Sequence, residues 1–166
     1  MIEFPLLLLF PAAMAFAGAM DLLTMTIPNR ISLALIGAFI ICGLVAGLSL
    51  EQFAMHFACG FAILVVGIAM FAAKLLGGGD AKLMAASAIW IGVDKLMLYF
   101  LAISVLGGVL AVALILYRRM PVGGYSLPLW AERLHVKGSH MPYGIAIAGA
   151  ALWIYPQTIL FSSFSG

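Results

Sequence analysis

Two aspartates carry the chemistry this sequence can offer. Asp80 stands in Leu76-Gly77-Gly78-Gly79-Asp80-Ala81-Lys82, a polar, glycine-rich break in an apolar chain, and Asp21 ends the first apolar run just before Thr26-Ile27-Pro28-Asn29-Arg30. A carboxylate at or near hydrocarbon is expensive, so one that is retained there has work to do. Two carboxylates held close cannot both ionise cheaply: one keeps its proton while the other stays charged, which supplies an acid and a base at one pH. The base can deprotonate a water for attack on a peptide carbonyl, and the acid can protonate first the carbonyl oxygen and then the leaving nitrogen. Gly77, Gly78 and Gly79 would let an extended peptide lie against bare backbone. No Ser with a His and an Asp suggests itself as a nucleophile, and His56, His135 and His140 lack the HExxH spacing of a zinc protease. On the residues alone, an aspartate at a helix end is also an ordinary N-cap or interfacial charge. Asp94, beside Lys95, reads that way, as do Glu3 and Glu51. Lys82 is either an anchor at the membrane surface or a group that tunes Asp80 and touches substrate.

The elements that must position these residues are membrane helices. Of the 166 residues, 66% are hydrophobic and 8% charged, and the mean hydropathy is +1.22. These values exclude a soluble domain. At about 20 residues per crossing, the expectation is an all-α integral membrane protein: one compact bundle of about six transmembrane helices spanning 1–166, with no separate soluble domain. The first residues lack the basic stretch of a secretory signal and read as a retained first helix. Cys42 and Cys59 fall in apolar runs without CxxC spacing, so buried free thiols are expected rather than a metal site or a disulfide. No metal or cofactor is predicted. A net charge of +2 gives no reason to expect nucleic acid as a partner.

The expected crossings run from about Phe4 to Met20, Ile31 to Leu50, about Phe53 to Leu76, Leu83 to Val93, Leu96 to Tyr117, and Pro142 to about Phe161. Asn29 is expected to cap the second. The fourth is short: from Asp80 to Asp94 it has roughly 21 Å of helix, so either the bilayer thins or the glycine break dips below the membrane surface into a protein-lined, watered depth. Gly43 and Gly47, Gly60 and Gly67, and Gly107-Gly108 are read as places of close helix approach. The hydrophilic stretch from Met120 to Met141, with Gly123-Gly124, Tyr125 and Trp130, is a connector or a substrate-contacting loop. Six crossings put Arg30, Lys74, Lys82, Arg118, Arg119, Arg133 and Lys137 on one side and only Lys95 on the other. The positive-inside rule makes that side cytoplasmic and the N-terminus external. Both aspartates then share the cytoplasmic end.

Gly77-Gly78-Gly79-Asp80 matches the GxGD motif of intramembrane aspartic proteases, and Ala81-Lys82-Leu83-Met84 resembles the form it takes in type IV prepilin peptidases. Asp21, followed six residues later by Ile27-Pro28-Asn29, resembles the other active-site segment of that family. The size is similar to that of the short, peptidase-only branch found with Flp-type or tight-adherence pili, as is Pro142-Tyr143-Gly144. The resemblance implies an aspartic endopeptidase with Asp21 and Asp80 as the catalytic pair. Its substrate would be a prepilin or pseudopilin, cut at the cytoplasmic face of the inner membrane for pilus assembly or secretion. The long members carry a cysteine-bearing cytoplasmic insertion and also N-methylate the product. Without that insertion, methyl transfer is not expected here. Leu22 to Thr26 lacks the basic residues often found in that segment of the family, which bears on leader contacts.

Three other readings compete with this one. A presenilin-like or signal-peptide-peptidase-like enzyme shares GxGD but is larger, and its other aspartate usually follows a tyrosine, where this chain has Met20. A small proton-coupled transporter would place acids near the midplane between pseudo-repeated halves. A structural subunit of a pilus-export complex would tolerate loss of either aspartate.

Overall fold

The computed structural model describes residues 3–121, 127–136 and 140–165; Gly123, Gly124, Tyr125 and Lys137 lie outside them. Among the described residues the chain is entirely helical: α1 (Glu3–Thr24), α2 (Asn29–Val45), α3 (Leu50–Ala72), α4 (Gly78–Ile91), α5 (Val93–Arg119), α6 (Leu129–His135), α7 (Gly144–Ile154), a 3-10 turn (Tyr155–Gln157) and α8 (Ile159–Ser165). The helices α1, α3 and α5 are long and apolar enough to cross a membrane, and α2 is a shorter apolar helix. The chain is an all-α, multi-pass membrane protein.

Several boundaries differ from the sequence expectation, and three of the differences have a plain local reason. The second crossing stops at Val45 because Gly47 takes φ +70° and the Leu48 N–H bonds back to the Gly43 carbonyl, closing the helix end. Gly47 is thus a turn residue and not a packing one, while Gly43 does lie against the Phe53 ring. The third begins at Leu50 because Ser49 and Gln52 form a reciprocal capping box, which draws Glu51 and Gln52 inside the helix. The last crossing is not continuous. Pro156 cannot donate a backbone hydrogen bond, and the chain tightens into the 3-10 turn between α7 and α8.

The short helix α4 is the centre of the bundle. It packs against α3, α2, α7 and α5, and every residue from Leu83 to Ile91 is buried. Its 14 residues make about 21 Å of helix, and a helix shielded by protein on all sides need not match the bilayer. Glycines on α3 permit its close approach: Gly60 packs against Ile89, and a Cβ on Gly67 would sit 2.9 Å from Ala81 Cβ. The outer helices show the reverse pattern, with Leu33, Phe61 and Val109 more than 60% exposed. Apolar surface that faces lipid carries no penalty.

At its C-terminal end α4 is locked by an aromatic cluster. The Trp90 ring lies 5.0 Å from Phe10, 5.7 Å from Phe39 and 6.2 Å from Tyr155 between centroids. Its Nε1 donates to the Leu35 carbonyl at 2.9 Å. His56, buried beside it, donates from Nδ1 to the Ile89 carbonyl. Cys42 and Cys59 are free and buried, as expected.

Candidate active site

Asp21 lies in the last turn of α1, which continues to Thr24 before Met25 ends it at φ 55° with its N–H on the Asp21 carbonyl. The side chain is 6% exposed. Its Oδ2 accepts a hydrogen bond from the Gly144 backbone N–H at 2.7 Å, across the start of α7.

The Ile27-Pro28-Asn29 turn is built from three different contacts. Ile27 is wedged between two helix starts: a Cβ on Gly79 would sit 3.2 Å from Ile27 Cβ, and one on Gly144 would sit 2.9 Å from Ile27 Cδ1. Pro28, in extended conformation, takes the N-cap position of α2 that the sequence suggested for Asn29. Asn29 instead accepts a hydrogen bond from Lys82 Nζ through its Oδ1 at 2.9 Å.

Asp80 is brought up from the other side. Helix α3 ends with Lys74 at φ 60°, and the Leu75 N–H returns to the Met70 carbonyl. Gly77 then caps α4, and Asp80 falls in its first turn. The three glycines serve three neighbours. Gly77 leaves room for the Asp80 carboxylate, whose Oδ2 would be 2.7 Å from a Cβ there; Gly78 faces the Phe71 ring; Gly79 accepts Ile27. Part of the glycine content therefore serves the protein's own packing, although all three glycines also face the open space beside Asp80. The Asp80 Oδ1 atom is buried and has no hydrogen-bond partner among the described residues.

Asp21 and Asp80 line one open cavity of about 1120 Å³. Around them stand Gly77 to Gly79, Lys74, His140 and Tyr143, and an apolar wall from α3 and α5 that includes Ile63, Met70, Phe100 and Ile103. Lys82 is outside this lining, exposed and engaged with Asn29. Asp94 is at the opposite end of α4, exposed. Among the described residues no group of three or more His, Cys, Asp or Glu side chains converges. The site offers two carboxylates on one cavity, bare backbone on one wall and an apolar groove on the other. That set has the groups an acid–base pair needs and room for an extended peptide.

The depth of the site follows from the helix lengths. Tyr143, beside Asp21's partner Gly144, meets α5 at Gly107, and α5 continues to Arg119, about 18 Å further at 1.5 Å per residue. Asp21 and the start of α7 therefore sit below the C-terminal end of the longest helix. Tyr143 and Gly144 had no chemical role in the reading of the sequence. The only signal for them was the likeness of Pro142-Tyr143-Gly144 to the short branch.

The Type IV leader peptidase family matches residues 8–112, a stretch that runs from α1 into α5 and contains both aspartates. No curated protein and no solved structure matches the chain.

Proposed function

Since the chain belongs to the type IV leader peptidase family, and is on that ground a membrane-embedded peptidase, we propose that Asp21 and Asp80 are its catalytic pair and that it cleaves by an aspartic mechanism. The observation that carries this is the convergence of two aspartates, remote in sequence, on one open cavity beside a wall of bare glycine backbone. One carboxylate takes a proton from water as the water attacks the scissile carbonyl. The other gives its proton to the carbonyl oxygen, and as the resulting diol collapses the first carboxyl returns its proton to the leaving nitrogen while the second recovers one from a diol hydroxyl. Gly77 to Gly79 hold the peptide extended.

The substrate in this reading is a prepilin or pseudopilin of the Flp or tight-adherence type. Its short basic leader is removed at the cytoplasmic face of the inner membrane before the apolar helix is assembled. The basic residues Arg30, Lys74 and Lys82 flank the elements that form the cavity, which supports a cytoplasmic mouth and an external N-terminus. The apolar wall of the cavity suits the start of a membrane-anchored substrate helix. Methyl transfer is not part of the proposal.

The test is co-expression with a Flp-type prepilin from the same genome, with leader removal followed by a mobility shift. Wild type should cleave, and Asp21→Asn and Asp80→Asn should each abolish cleavage at matched membrane levels. If either variant cleaves at the wild-type rate, that aspartate is structural and the mechanism falls.

A further inference from the structure

We infer that Tyr143 and Gly144, at the start of α7, form a third segment of the active site: Gly144 positions Asp21, and the Tyr143 hydroxyl is a hydrogen-bonding group of the reaction, carried by a residue that lines the same cavity as Asp80. The inference rests on Asp21 and Asp80 being the catalytic pair. The segment lies beyond residue 112, outside the stretch that the family matches.

Gly144 N–H is one of the unsatisfied donors that every helix start presents. Here it is spent on Asp21 Oδ2 at 2.7 Å, a charge-assisted contact when that carboxylate is ionised. The geometry leaves no room for a side chain. A Cβ at position 144 would lie 2.8 Å from that same oxygen, 3.0 Å from Asp21 Cβ and 2.9 Å from Ile27 Cδ1. Glycine is required for the backbone to reach the carboxylate at all.

The start of α7 is itself held by Tyr143, whose ring fills a notch in α5. A Cβ on Gly107 would lie 2.6 Å from Tyr143 Cε2 and 2.7 Å from its Oη. The notch fixes the ring of Tyr143, a residue that lines the same cavity as Asp80. Asp80 Oδ1 has no partner among the described residues. For packing into the notch a phenylalanine would serve equally. The phenol adds only a donor, and half-buried phenols are placed where a donor is used. In the reaction that donor serves Asp80 or the former carbonyl oxygen, on which charge develops before the acid's proton arrives.

The test is steady-state cleavage of a Flp-type prepilin by the purified, full-length enzyme in lipid vesicles. Tyr143→Phe keeps the ring in its notch and removes only the hydroxyl. It should lower kcat by about a hundredfold, as loss of one preorganised donor does, with KM nearly unchanged and with a displaced pH profile of kcat. The other titratable groups on the cavity, Asp21, Asp80, Lys74 and His140, are untouched by that change. Gly144→Ala should lower kcat at least as far. Gly149→Ala on the same helix, where a Cβ would meet only Leu106 Cδ1 at 3.2 Å, should leave it unchanged and controls for a general effect on α7. A Tyr143→Phe enzyme with wild-type kcat and an unchanged pH profile overturns the role of the hydroxyl, and full activity in Gly144→Ala overturns the positioning of Asp21. Asp21→Asn and Asp80→Asn are assayed in parallel. If they are inactive while Tyr143→Phe runs at full rate, only the third segment is wrong. If they are active, the catalytic pair is wrong and the third segment falls with it.

Discussion

The two ends of α4 are built on opposite rules. At the C-terminal end, Trp90 is enclosed by Phe10, Phe39 and Tyr155, its indole N–H is bonded to the Leu35 carbonyl, and His56 is bonded to the Ile89 carbonyl. At the N-terminal end three glycines replace side chains, a cavity of about 1120 Å³ stands open, and Asp80 Oδ1 has no partner among the described residues. The first end holds position through packing and satisfied polar groups. The second leaves space and an unsatisfied carboxylate oxygen. A helix only 14 residues long carries both, with its other end fixed in the core.

The largest effect that would expose this division is on cleavage. Asp21→Asn and Asp80→Asn should each reduce the rate by at least about a thousandfold, within the range for loss of a general acid or base. Neither should lower the thermal midpoint in detergent, because removing a buried charge relieves desolvation. A fall in the midpoint of either variant would mean that the open end also carries stability.

Trp90→Ala, at the sealed end, should do the reverse. It should cost about 3 to 5 kcal/mol of stability, read as a lower unfolding midpoint. The fraction that stays folded should still cleave. A smaller effect is expected one turn earlier, where Ser87 Oγ and Tyr99 Oη lie 2.6 Å apart in the core. Tyr99→Phe should destabilise by about 0.5 to 1.5 kcal/mol, because one buried hydrogen bond is lost while Ser87 keeps its bond to the Leu83 carbonyl. If it instead impaired cleavage without altering the midpoint, the sealed half of α4 would have to be counted as part of the site.

The open end, with its two aspartates, was far more legible in the sequence than the sealed end. Asp21, Asp80 and the glycine run are conspicuous because polar residues and bare backbone are rare in an apolar chain, and their spacing carried a family likeness. Nothing comparable marks Trp90, Phe10, Phe39 and Tyr155. In a sequence this apolar, the hydrophobic pattern does not distinguish side chains that face lipid from those that face protein. For the same reason the centrality of α4 was hidden, although its length was already anomalous. The break at Tyr155 to Gln157 carried its sign in Pro156, and the Ser49 to Gln52 box was a readable cap that the apolar run obscured. Gly144 is a different case. A backbone N–H has no side-chain signature, so its contact with Asp21 could come only from the fold.

Lys82 tests whether the open end is tuned by charge or only by shape. It is two residues from Asp80, which on sequence alone leaves both roles open. In the structure its Nζ donates to Asn29 Oδ1 at 2.9 Å, and the side chain is exposed and outside the cavity lining. Such a contact ties the start of α4 to the first turn of α2, and exposed polar contacts contribute little. Lys82→Met should therefore change the cleavage rate by no more than about fivefold, consistent with that weak class of contact, and Asn29→Ala should have the same small effect, since each removes one side of a single tether. If Lys82→Met instead slows cleavage far more than Asn29→Ala does, the lysine charge reaches Asp80 without the tether. The open end would then be built by electrostatics as well as by space.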